Sequence, residues 1–230
     1  MVTGMKTRPH PKMRRKRKGE GPERRSEILQ VAKRLFVEEG YSRTTIRRIA
    51  SEIGISSTAL YVYFPEKNSI LHEICAETFT GLTREFEAIR AQKLAPLEAL
   101  RAASYAYIDF GLGHPHEYEL TFVVHHPGDC PPGESDPGDP GERAYRSLLD
   151  LVADAVNAGV LAEPNVNRIA QQIWAGVHGL VTLFLSLPDF PWEVGKDELI
   201  RGQAEMLVRG IAREGVSVSP GNGCQLAKPG

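Results

Sequence analysis

The sequence predicts an all-α protein, built from an N-terminal three-helix helix-turn-helix module and a larger helical body. Three observations carry that prediction. Ile46, Ile49, Ala50 and Ile53 recur at i, i+3, i+4 and i+7, the spacing of one buried helical face. Gly54 interrupts this pattern two residues before Ser56, which is suited to cap a second, shorter helix. Beyond Asn68 the apolar residues keep a helical period to about residue 213, and no run alternates as a strand does.

The elements follow in order. Residues 1–22 are rich in Lys, Arg, Pro and Gly, a composition that predicts a disordered basic arm. A first helix begins near Pro22 or Glu23, buries Ile28, Leu29, Ala32, Leu35 and Phe36, and stops at Gly40. With the two helices around Gly54 it makes a DNA-binding module over residues 23–67. On the second of those helices Leu60 and Phe64 face the core, Thr58 and Val62 point away, and Tyr61 flanks them. Asn68 is the expected cap of a long helix running toward Ile89. The body covers residues 68–214, with helices at about 96–112, 116–125, 142–160, 165–187 and 195–213. Residues 127–141 hold 5 Pro and 4 Gly, which predicts a flexible loop, and residues 215–230 read as a disordered tail.

Net charge is −1, but its distribution is uneven. Residues 1–68 carry 16 Lys/Arg against 7 Asp/Glu, and the remainder carries 12 against 22. Such a division places nucleic-acid contact in the first third. Cys75, Cys130 and Cys224 are odd in number and widely spaced, so a disulfide framework is excluded and a cytoplasmic location is expected. No signal peptide is visible. The longest apolar stretch, Ile173 to Leu187, contains His178 and spans 15 residues, short of a bilayer span. It reads as a buried helix, with no membrane partner.

The segment from Ile28 to Phe79 resembles the N-terminal module of the TetR family of bacterial repressors. The likeness rests on Ala32, Leu35 and Phe36, then Gly40-Tyr41, Thr44-Thr45, Ile49-Ala50 and Gly54-Ile55-Ser56. Leu60-Tyr61-Val62-Tyr63-Phe64, Lys67 and Leu71 complete it, and Glu66-Lys67-Asn68 departs locally from the family's pattern. Trp174 to Gly179, with His116-Glu-Tyr upstream, resembles a subgroup whose ligand domain carries a Trp–His–Gly signature. The resemblance implies a larger domain for ligand binding and dimerisation. It implies a homodimeric repressor that binds an inverted-repeat operator on double-stranded DNA and is released by a small-molecule inducer.

The same resemblance places Thr45, Tyr61, Tyr63 and Lys67 on the DNA backbone, where hydroxyls and an ammonium suit phosphate oxygens. Ser56 adds a helix N-terminus. Arg47, Ser57 and Thr58 match positions that reach base edges, with Arg47 able to fork onto a guanine. Arg48 reads as a solvated neighbour, and Tyr63 divides between contact and packing. Arg14 to Lys18 enter a minor groove or add nonspecific attraction, and Met5 and Met13 could each be the true start, which leaves residues 1–12 open as part of the mature protein. In the body, Tyr105, Tyr107, Phe110, Phe122, Trp174 and His178 suit a mainly apolar cavity, and Tyr105, Phe122, Trp174 and His178 are the candidate ligand residues, Trp174 and His178 sharing a face at i and i+4. The inducer is expected to be mainly apolar or aromatic. The helix at 165–187 has two apolar faces and, with the last helix, suits a four-helix dimer interface, Gly176 and Gly179 admitting a partner helix.

Two other classes compete. A metal-dependent enzyme would use His114, His116, His125 and His126 with Asp129 and Cys130, but no recognised ligand spacing is present, so neither metal nor cofactor is expected. An architectural DNA-coating protein would rely on the basic arm alone.

Overall fold

Every named element of the computed structural model, which describes residues 21–123 and 138–218, is helical. In chain order these are α1 (Gly21–Glu38), α2 (Ile46–Ile53), α3 (Ser57–Tyr61), α4 (Lys67–Ala91), α5 (Pro96–Gly113) and α6 (Pro115–Tyr118). A single π-helical turn, Glu119–Val123, follows α6, and then come α7 (Pro140–Asn157), α8 (Val166–Ser186) and α9 (Lys196–Ile211). Among the described residues there is no strand, only an isolated antiparallel bridge between Leu161 and Ala212. The basic arm to residue 20, the pair His125–His126 with Asp129 and Cys130, loop residues 127–137 and the tail beyond residue 218 lie outside the described residues.

The chain divides into two compact units, Met1–Ile74 and Cys75–Gly230. In the first, Ile28, Leu35, Ile49, Leu60, Phe64 and Ile70 form the fully buried centre. Thr45 caps α2, its hydroxyl oxygen accepting from the Arg48 N–H at 3.1 Å. Gly54 ends the helix at φ +77°, a left-handed conformation that glycine adopts without a Cβ penalty. Ser56 caps α3 by accepting from Ala59 N–H at 3.1 Å. Thr44 is fully buried, and its hydroxyl lies 3.0 Å from the carbonyls of both Leu35 and Gly40. It thereby satisfies the end of α1. In the second unit α5 is central and packs against α7, α8 and α9.

Several sequence expectations shift by local chemistry. The first helix begins at Gly21, so residues 21–22 are helical and not part of a disordered arm. The long helix begins at Lys67, and Asn68 is not its cap. Asn68 instead accepts from the Tyr41 hydroxyl at 3.3 Å and meets His72 at 3.0 Å, while the Ser69 hydroxyl bonds the Glu66 backbone. The helix expected at 116–125 is four α-helical residues and a π turn. Pro140 and Gly141 belong to α7 because Asp139 caps it, accepting from the N–H groups of Gly141 and Glu142 at 2.8 and 3.0 Å. The expected tail from residue 215 starts with a turn, and Val216 and Val218 pack on the core. Helix α8 matches its expected span to within one residue at each end, and its 21 residues are enough by length and composition to cross a membrane. Its Ile169, Ile173, Val177, Val181 and Phe184 are buried in the body's core.

Candidate functional site

The candidate DNA-contacting face of the first unit is assembled from α2 and α3. Leu60 anchors α3 from inside, which leaves Thr58, Tyr61 and Val62 exposed, the last two at 51% and 81%. Ser57 is half-buried beside them. An apolar Val62 this exposed has no packing role in the unit, although the sequence pattern had marked it only as pointing away.

The arginines around this face separate sharply. Arg48 donates to Glu39 at 2.9 Å and to Glu52 at 2.7 Å, and Arg34 joins the same lattice through Glu38 and Glu52. Arg43 donates to the Glu39 carbonyl at 2.6 Å, and Arg24 pairs with Glu27. Arg25 clamps three elements. It grips both carboxylate oxygens of Glu73 and donates to the Tyr63 carbonyl at 2.8 Å, and its guanidinium lies 4.2 Å from the Phe64 ring centroid. Arg47 is the one arginine of this unit, among the described residues, with no hydrogen bond or ion pair, and it is exposed. Its five N–H donors are available to a ligand with fixed acceptors.

Lys67 is already partly engaged within the unit. Its ammonium donates to the carbonyls of Tyr41 at 2.7 Å and Thr44 at 3.0 Å, and it sits 4.1 Å from the centroid of the Tyr41 ring. Two of its three donors are therefore spent on the α1–α2 loop, and burial lowers its pKa. Tyr63 is half-buried with its carbonyl held by Arg25. Thr45 and Ser56 use their oxygens as caps, which leaves each hydroxyl hydrogen free to donate.

In the second unit a polar chain crosses an apolar core. The Trp174 indole N–H donates to the Tyr107 hydroxyl at 3.2 Å. That hydroxyl lies 3.2 Å from the Tyr118 hydroxyl, and both reach His178 Nδ1, at 3.1 and 2.5 Å. An indole can only donate, so one consistent direction runs from Trp174 through Tyr107 and Tyr118 to an accepting Nδ1. His178 then carries its proton on Nε2, which faces the Thr182 hydroxyl at 3.5 Å. Burial lowers the His178 pKa and raises those of both tyrosines, so the chain is neutral. Phe122 flanks it, 4.9 Å from Tyr118 and 5.8 Å from His178 between ring centroids.

Three of the four expected ligand residues, Phe122, Trp174 and His178, thus come together, and Tyr105 does not. Tyr105 is two positions from Tyr107, about 200° around a helix, and it lines a groove on the other face of α5. Tyr107 and Tyr118 take its place. A sequence signal for that inner face existed in Gly111, where a Cβ would lie 2.7 Å from Val181 and 3.0 Å from the Tyr118 ring. Gly176 likewise serves the chain's own fold: a Cβ there would meet Leu207 and Gln203 of α9 at 2.8 and 2.9 Å, whereas Gly179 faces open space. Among the described residues no three His, Cys, Asp or Glu side chains converge on a metal position.

Both parts of the chain are similar to known proteins. Residues 28–74 match the family model of bacterial regulatory proteins of the tetR family, and residues 100–207 match a tetracyclin repressor-like C-terminal domain. The chain is 42% identical over 89 residues to the HTH-type transcriptional repressor KstR2 of Rhodococcus jostii RHA1, covering 37% of this chain and 44% of that protein. Identity to the probable HTH-type transcriptional regulator ArpR of Pseudomonas putida is 28% over 188 residues, covering 77% and 87%. The fold is shared with the ketosteroid transcriptional regulator KstR2 of Mycobacterium tuberculosis, at a TM-score of 0.59 and 21% identity over 83% of this chain and 96% of that one. With both of its parts matched, the chain belongs to the TetR family of DNA-binding bacterial transcriptional regulators.

Proposed function

We propose that this protein is a ligand-responsive transcriptional repressor that acts as a cytoplasmic homodimer on an inverted-repeat operator. The observation that carries the reading is the free guanidinium of Arg47 beside an exposed, capped α3, in a unit whose other described arginines are all engaged. Residues 23–67 form the DNA-binding domain. Arg47, Ser57 and Thr58 read base edges, and the exposed Val62 adds an apolar contact for a thymine methyl. Thr45, Ser56, Tyr61 and Tyr63 grip phosphates. Lys67 holds the loop ahead of α2, with its remaining N–H directed to the backbone.

Residues 68–214 form the ligand-binding and dimerisation domain. Leu183 and Leu187 at the end of α8, Phe190 and Val194 in the next loop and Met206 on α9 are exposed large apolar residues, and a second copy would cover them. The inducer sits against Phe122, Trp174 and His178 with Tyr107 and Tyr118. An apolar body with one oxygen able to enter the hydroxyl chain suits that lining, and a ketosteroid is therefore one class to screen. The test is fluorescence anisotropy on DNA upstream of the protein's own gene, against scrambled DNA of equal length. Saturable binding of two protomers per site, reversed by an apolar oxygenated compound, is the expected result. Equal affinity for both DNAs would defeat the repressor reading.

A further inference from the structure

The outer face of α5 carries a second candidate site. A groove of about 570 Å³ runs between the C-terminal end of α4 and the α5 stripe Glu98, Ala102, Tyr105 and Asp109. These positions follow i, i+4, i+7 and i+11, one side of the helix. The hydroxyl chain begins from Tyr107 on the opposite side, so the two sites share no residue. The volume falls within the range of small-molecule pockets.

The groove carries more carboxylate than its cations answer. Glu85, Glu98 and Asp109 line it, and Arg101 is the only Lys or Arg side chain among the lining residues. Arg101 is 2% exposed and already lies between two acids, 2.5 Å from Glu98 and 2.7 Å from Glu205. Asp109 is half-buried and has no hydrogen bond or ion pair among the described residues. Burial, and Asp197 in addition, raise its pKa from the ordinary carboxylate value. A half-buried carboxylate normally finds a positive partner. The walls nearby are apolar or aromatic: Ile89, Leu94, Ala106, and Phe110 stacked on His114 at 4.8 Å between centroids.

We propose that this groove binds an amphipathic organic cation, a protonated amine or onium group on an apolar body. The charge meets Asp109 and Glu85, and the body lies on Tyr105 and Phe110, whose ring faces favour cations. An anion would meet carboxylates, and a neutral compound would leave Asp109 unanswered. Binding here does not depend on which DNA the protein reads.

Isothermal titration of the full-length protein with tetraphenylphosphonium tests this, with tetraphenylborate as the anion of matched shape. One tetraphenylphosphonium binds per chain, and Asp109→Asn and Tyr105→Ala each weaken it about tenfold or more. Glu214→Gln, which removes an exposed carboxylate outside the groove, leaves the affinity unchanged. Asp109→Asn also raises the melting temperature of the free protein, because it deletes a charge without a partner. The proposal is overturned by absent or unsaturable binding, by equal binding of the borate, by an Asp109→Asn affinity equal to wild type, by a Glu214→Gln loss as large as that of Asp109→Asn, or by a lower Asp109→Asn melting temperature.

Discussion

At the scale of single residues, function follows from which polar groups are already engaged. Arg47 and Arg48 are adjacent and chemically identical, yet the Glu39–Glu52 lattice absorbs Arg48 and leaves Arg47 free. We expect Arg47→Ala to weaken operator binding about tenfold to a hundredfold, the worth of one good base contact, with a smaller loss on scrambled DNA. Arg48→Ala should change operator affinity little, because exposed ion pairs contribute modestly. Parallel anisotropy titrations decide between them, and equal losses would refute the division. Lys67 carries the same lesson in reverse. Its type and position suggest phosphate, but its partners are two carbonyls. Side-chain chemistry can be read from a sequence; which backbone atoms lie within reach cannot.

At the scale of elements, the helix-turn-helix module is legible in the sequence, since its signals are local. A 3.6-residue apolar period, a Gly break and a Ser cap lie within 11 consecutive residues, Ile46 to Ser56. The hydroxyl chain was only partly legible, because it joins residues 107, 118, 174 and 178 from three helical segments. Trp174 and His178 share a face at i and i+4, so their proximity is legible from spacing alone. Tyr107 and Tyr105 were indistinguishable without knowing which side of α5 turns inward. This chain also gives the body a pH dependence. His178 has a lowered pKa in the folded state, so protons bind the unfolded chain more readily. The stability that follows is complete above about pH 6.5 and is lost as pH falls through the lowered value. Melting temperatures between pH 7.5 and 5 should therefore fall more steeply for the wild type than for His178→Asn. Parallel slopes would show that His178 is not the group responsible.

At the scale of the whole molecule, dimerisation is expected to be inseparable from operator binding. A recognition helix of five residues can discriminate only modestly, and joining two readers raises affinity through effective concentration. Leu183→Glu on the exposed end of α8 should yield monomers at micromolar concentration and lower operator affinity by a hundredfold or more. Sedimentation velocity with anisotropy checks both, and a variant that remains a dimer would place the interface elsewhere. The lattice of Arg34, Arg48, Glu38, Glu39 and Glu52 has one more consequence, in the ionic atmosphere of DNA. Cations that are neutralised within the protein displace no condensed counterions when it binds. Of the 16 Lys/Arg in residues 1–68, Arg24, Arg25, Arg34 and Arg48 are already paired with carboxylates. Added electrolyte should thus weaken the reading head less than its charge count implies, and the sensitivity that remains belongs to Arg47, to the cations held only by carbonyls and to the basic arm.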